Sequence, residues 1–75
     1  MDLATRKKII DEKKKMLYTM AKDVKLRIRK ESIDTYIFID TKRDNIFGYA
    51  YGLDNAISYL QNRFPQLKEN YRTHA

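Results

Sequence analysis

At Asp23 the spacing of apolar side chains changes from the period of a helix to the period of a strand. Upstream, Leu3, Ile10 and Leu17 recur every seven residues, with Ile9, Met16 and Met20 beside them. That is one apolar stripe along a helix. Lys, Glu, Met, Leu and Ala are good helix formers, and no Gly or Pro interrupts them. The spacing predicts a helix over residues 2–22. Its other face carries Lys7, Lys8, Lys14, Lys15 and Lys22, and Asp2 and Lys22 suit the two ends of the helix dipole.

Downstream of Asp23, "VKLRIRK" alternates apolar with basic residues, as a half-buried strand does. "KESID" is turn-like, and "TYIFI" is β-branched and aromatic, as strands prefer. "DTKRDN" has the Asp and Asn of a turn, and "IFGYAY" closes a hairpin. Strands are therefore predicted at 24–30, 34–40 and 45–51. Gly52 ends the third strand and Asp54 is placed to cap a helix over 54–64, with Ala56, Ile57, Leu60 and Phe64 on one face. Pro65 disfavours helix at Phe64, so a kink or break is expected there. A short last helix starting at Pro65 and a frayed "NYRTHA" complete residues 65–75. The order helix–strand–strand–strand–helix is an α+β domain in which a three-stranded antiparallel sheet packs against an N-terminal and a C-terminal helix.

Seventy-five residues make one small domain with a thin core. There is no cysteine to form a disulfide, and the single histidine, His74, offers no metal site, so regular structure or a partner must supply stability. No run approaches the roughly 18 apolar residues of a membrane span, and no apolar segment follows the first basic residues as in a signal peptide. The expectation is a soluble cytoplasmic protein that does not engage membranes.

The net charge of +6 draws such a chain toward polyanions. It is uneven: seven Lys/Arg against four Asp/Glu in residues 1–23, six against four in 24–45, and three against two in 46–75.

Strand parity decides what the sheet displays. With every aliphatic residue inward, the open face shows Lys25, Arg27, Arg29, Tyr36, Phe38, Phe47, Tyr49 and Tyr51. Such a face suits single-stranded nucleic acid, through phosphate neutralisation and base stacking. The opposite solution turns the aromatic residues to the helices, because each buries far more area than an alanine and Gly48 and Ala50 give a core little. Helices on opposite faces would leave no platform. The sequence leaves these arrangements open.

The lysines of "RKKIIDEKKK" suit phosphate contact in a DNA groove. They equally suit a solvated face with pairs such as Asp11 and Lys15. Lys42 and Arg43 at the hairpin tip are a further basic site or simply a soluble turn. No nucleophile, histidine and carboxylate are spaced for a triad, and no glycine-rich phosphate loop exists. Asp34, Asp40 and Asp44 flank turns without calcium-loop spacing, so their expected role is turn hydrogen bonding. No catalysis and no cofactor are expected.

The strand–strand–strand–helix order with basic strands resembles small sheet-based DNA-binding modules such as the arm-binding domains of integrases. The resemblance is one of topology, without a shared residue motif, and it implies DNA contact through the sheet. The expected function is a non-catalytic, accessory or regulatory DNA- or RNA-binding module. Its contacts would be Lys25, Arg27, Arg29, Lys42 and Arg43, with Tyr36 and Tyr49 as stacking residues. The alternative is a protein-binding module or small inhibitor that docks through an edge strand or through Leu3, Ile10, Leu17 and Met20 of the first helix, with a homodimer compatible with either.

Overall fold

The structure, a computed structural model, describes residues 2–71. Its elements follow the order expected: α1 (Leu3–Asp23), β1 (Leu26–Lys30), β2 (Thr35–Asp40), β3 (Asn45–Tyr51), α2 (Leu53–Arg63) and α3 (Gln66–Asn70). Asp2 caps α1, its Oδ1 accepting from the Thr5 N–H at 2.8 Å, and that bond holds its carboxyl below the usual aspartate value.

The first strand begins two residues later than its alternation suggests. α1 runs to Asp23, and Val24 and Lys25 are spent on the turn, donating back to Ala21 and Lys22. Lys25 takes a left-handed conformation, φ 63°, which breaks its parity with Arg27 and Arg29. The cap of α2 also differs. Gly52, at φ 88°, precedes the helix without a side-chain cap, and Asp54 lies inside the first turn, where it pairs with Lys13 Nζ at 2.9 Å. Phe64 breaks the helix before Pro65, and α3 follows. Tyr71 does not fray: its hydroxyl donates to the Asp23 carboxylate and its carbonyl accepts from Gln61 Nε2. The rest of the expected frayed tail, with His74, lies outside the described residues.

The sheet has the order β1-β2-β3, antiparallel throughout. Both helices lie on the same side of it, and one core joins Leu17, Met20 and Ala21 of α1, Leu26, Tyr36, Phe38 and Ala50 of the sheet, and Ala56, Ile57 and Leu60 of α2. α3 closes it with Leu67. Only the C-terminal half of α1 takes part, since every residue from Leu3 to Glu12 is exposed. The ion pairs formed among the described residues are Lys13–Asp54 and Arg29–Glu31, so the Asp11–Lys15 pair is not made.

The register corrects the all-aliphatic interior. Phe38 lies opposite Gly48, and Tyr36 opposite Ala50, all facing the helices. Each large ring of β2 thus has a small neighbour on β3, and the space above Gly48 is filled by Tyr59, stacked on Phe38 at 5.3 Å. Gly48 and Ala50 contribute room, which lets rings with more area to bury occupy the core. Between Phe38 and Ile39 the β2–β3 register shifts, and Phe47 is the extra residue of this bulge. It packs toward the helices, on Phe64 at 5.6 Å and edge-on to Tyr59 at 6.3 Å.

Candidate nucleic-acid interface

Because both helices cover one side of the sheet, its other side is open, and the register fixes what stands on it. Cross-strand neighbours share a face. One row therefore runs Arg27–Ile39–Ile46, the next Arg29–Ile37–Tyr49, and a third Thr35–Tyr51. Arg27 and Arg29 are exposed along β1, at one edge of the sheet. Tyr49 and Tyr51 stand along β3, at the other edge, 57% and 61% exposed. Their rings meet edge to face at 5.5 Å with an interplanar angle of 77°.

Between the arginines and the tyrosines lies an isoleucine floor. Ile39 is only 7% exposed yet stands apart from the helix-side core, and Ile46 is open to solvent. Arg29, Glu31, Thr35, Ile37, Tyr49 and Tyr51, together with Ile46, line a shallow concavity of about 280 Å³. Arg29 reaches Glu31 at 3.5 Å, an exposed pair whose attraction is at most about 1 kcal/mol. Arg27 makes no ion pair among the described residues.

The other expected cations, Lys25, Lys42 and Arg43, gather at one end of the sheet. The Lys25 carbonyl accepts from the Thr41 backbone N–H at 3.2 Å and from its hydroxyl at 2.9 Å, which ties the start of β1 to the β2–β3 turn. In that turn Asp40 Oδ1 accepts from the backbone N–H of Lys42 at 2.9 Å and of Arg43 at 3.2 Å. Asp40 thus shapes the turn that presents both side chains to solvent. Lys25 and Lys42 line one groove with Phe47 and Phe64, around the corner from the open face.

Of the seven residues expected to touch nucleic acid, Arg27, Arg29 and Tyr49 share the open face. Lys25 leaves that row for the turn end and joins Lys42 and Arg43 there. Tyr36 is 3% exposed, inside the core, with Lys30 Nζ 3.9 Å from its ring centroid, so it offers no ring to a base. Tyr51 replaces it. Tyr51 already stood on the expected open face, whereas Ile37 was legible there only once the opposite parity was chosen for β2. Leu17 and Met20 are fully buried, which leaves Leu3 and Ile10 as the accessible part of the expected helix surface. No helix of the described residues is long and apolar enough to cross a membrane. No family model, no curated protein and no solved structure matches the chain.

Proposed function

We propose that this chain is a small, non-catalytic nucleic-acid-binding module of the cytoplasm, accessory or regulatory in role, that binds through the open face of its sheet. One observation carries the reading: the sheet is helix-covered on one side only, and the uncovered side pairs two arginines with two exposed tyrosines across an apolar floor. Tyr49 and Tyr51 would each hold a base by stacking, an interaction of about 1–3 kcal/mol. Arg27 and Arg29 would follow the backbone along the opposite edge, and Lys25, Lys42 and Arg43 would extend the phosphate track past the turn. Phosphate competes readily with Glu31 for Arg29, because that pair is exposed.

Five cations on phosphate give a steep salt dependence. With a slope of about −0.7 per contact for single strands, a fourfold rise in salt weakens binding on the order of a hundredfold. The test is fluorescence anisotropy with labelled single-stranded and duplex oligonucleotides across a salt series. Binding that falls with that slope, and a slope that shrinks by about 1.4 on replacing Arg27 and Arg29 with Gln, are expected. Absence of binding at low ionic strength would remove the proposal.

A further inference from the structure

The first three turns of α1 present a second surface, separate from the open sheet face. Residues 3–12 are all exposed, although Leu3 and Ile10 repeat the heptad spacing that Leu17 uses to enter the core. Leu3 is 80% and Ile10 46% exposed, and the β1–β2 loop adds Ile33 at 87%. Two shallow depressions, of about 450 and 400 Å³, share Ile10 and Lys14. Together they form one groove from Leu3 past Ile10 to Ile33. Arg6, Lys7 and Lys14 flank its α1 half against a single acid, Asp11. In its other half Lys13 is already matched by Asp54 and one further acid, Asp34, stands beside Ile33, so the positive excess lies in the α1 half.

We infer that this groove docks an acidic amphipathic helix of a partner protein, with apolar residues on Leu3, Ile10 and Ile33 and carboxylates facing Arg6, Lys7 and Lys14. Charge selects this occupant. Antiparallel pairing of two copies with Leu3 against Ile10 sets Arg6 of each copy against Lys7 of the other. Parallel pairing sets Lys7 against Lys7 and Lys14 against Lys14. Both juxtapose like charges, which disfavours a second copy. A polynucleotide would satisfy the lysines and leave the aliphatic line in contact with phosphate. A membrane would find four aliphatic side chains, Leu3, Ile9, Ile10 and Ile33, with no aromatic residue in the first three turns and Asp34 beside Ile33, a small apolar face for interfacial binding. Only an acidic, apolar-striped helix matches both features at once.

The probe is a synthetic three-heptad peptide with leucine at its a and d positions and glutamate at e and g, fluorescein-labelled and titrated with the full chain. Saturable binding is expected, with a lysine-for-glutamate version of the peptide at least about 10-fold weaker. Leu3→Gln with Ile10→Gln should weaken the glutamate peptide by about 10-fold or more, since each removes an aliphatic contact. These positions are exposed, so melting temperature and oligonucleotide affinity should not move. Lys7→Glu with Lys14→Glu should reverse the preference between the two peptides. Amide shifts on titration should map to residues 3–14 and Ile33. Equal binding of both peptides, insensitivity to the paired Gln substitutions, or shifts confined to the sheet would overturn the inference. So would a dimer in sedimentation that the Gln substitutions dissolve, or phosphatidylserine vesicles or an oligonucleotide displacing the peptide from these residues. Loss of oligonucleotide binding with peptide binding intact would count against the sheet-face function and leave this groove standing.

Discussion

Gly48→Ala isolates the packing feature on which the aromatic interior rests. Gly48 does not have a positive φ, so alanine suffers no backbone penalty there and the effect is steric. An added Cβ would stand 1.8 Å from the Tyr59 hydroxyl oxygen and 2.6 Å from the ring carbon that bears it. Ordinary carbon–oxygen contact needs roughly 3.5 Å, so the ring must retreat by well over 1 Å. It has little freedom to do so. Tyr59 lies parallel on Phe38 at 5.3 Å, meets Phe47 edge-on at 6.3 Å, and carries the Arg63 guanidinium 5.3 Å from its centroid. Displacing it costs ring contacts worth about 0.5–1.5 kcal/mol each, and forcing the methyl in beside it costs about 1–3 kcal/mol. A destabilisation of about 2 kcal/mol follows, which lowers the melting temperature of a domain this size by about 10 °C. Thermal unfolding followed by circular dichroism is the assay, run as a cycle with Tyr59→Ala. In the Tyr59→Ala background the alanine at 48 has open space, so its cost should nearly vanish and the coupling should be about 2 kcal/mol. Tyr59→Phe should relieve it only in part, because the ring carbon remains. A loss under about 0.5 kcal/mol in the otherwise unaltered chain, or an equal loss in both backgrounds, would show that Tyr59 does not bar a side chain from position 48.

The two halves of α1 should differ sharply. Leu17→Ala, at a fully buried position, should cost about 2–5 kcal/mol in urea unfolding, whereas Leu3→Ala should stay within about 0.5 kcal/mol. The Tyr71 hydroxyl is raised above its ordinary value of 10.0 by its hydrogen bond to Asp23, then by desolvation and by the Asp23 charge. A raised folded-state value contributes stability below about pH 10 that is lost as pH climbs through the folded value. Between pH 9 and 12 the melting temperature should therefore fall more steeply in the unaltered chain than in Tyr71→Phe, and parallel curves would refute the assignment. Tyr49→Ala and Tyr51→Ala should each weaken oligonucleotide binding by about 5- to 100-fold without moving the melting temperature. Tyr36→Ala should instead destabilise the fold, which separates stacking rings from core rings in one experiment.

The element order was legible because it rests on local periodicity. The break at Asp23, the hairpin residues between Ile39 and Asn45 and the stop at Phe64 each follow from neighbouring residues alone. Details that departed from local periodicity involve distant residues. Lys25 looked like a strand residue until the end of α1 and Thr41 claimed it for a turn, and Asp54 looked like a cap until Lys13 engaged it. The candidate site was legible in part. Alternation placed Arg27 and Arg29 together whichever way the sheet faced. It could not say whether Tyr36 or Ile37 stood beside them.

From the sequence came which residues travel together: alternate residues along β1 and β2, and along β3 from Gly48 onward, with apolar beside apolar along each helix, while the bulge put Ile46 on the face of Tyr49 and Tyr51. Which set went inside was decided only when three strands and two helices met. Small Gly48 and Ala50 opened space beneath α2, the rings of Phe38, Tyr36 and Tyr59 filled it, and the bulge turned Phe47 after them. Parity is a property of a single strand, but the volume available on each face of a sheet is a property of every element that packs there.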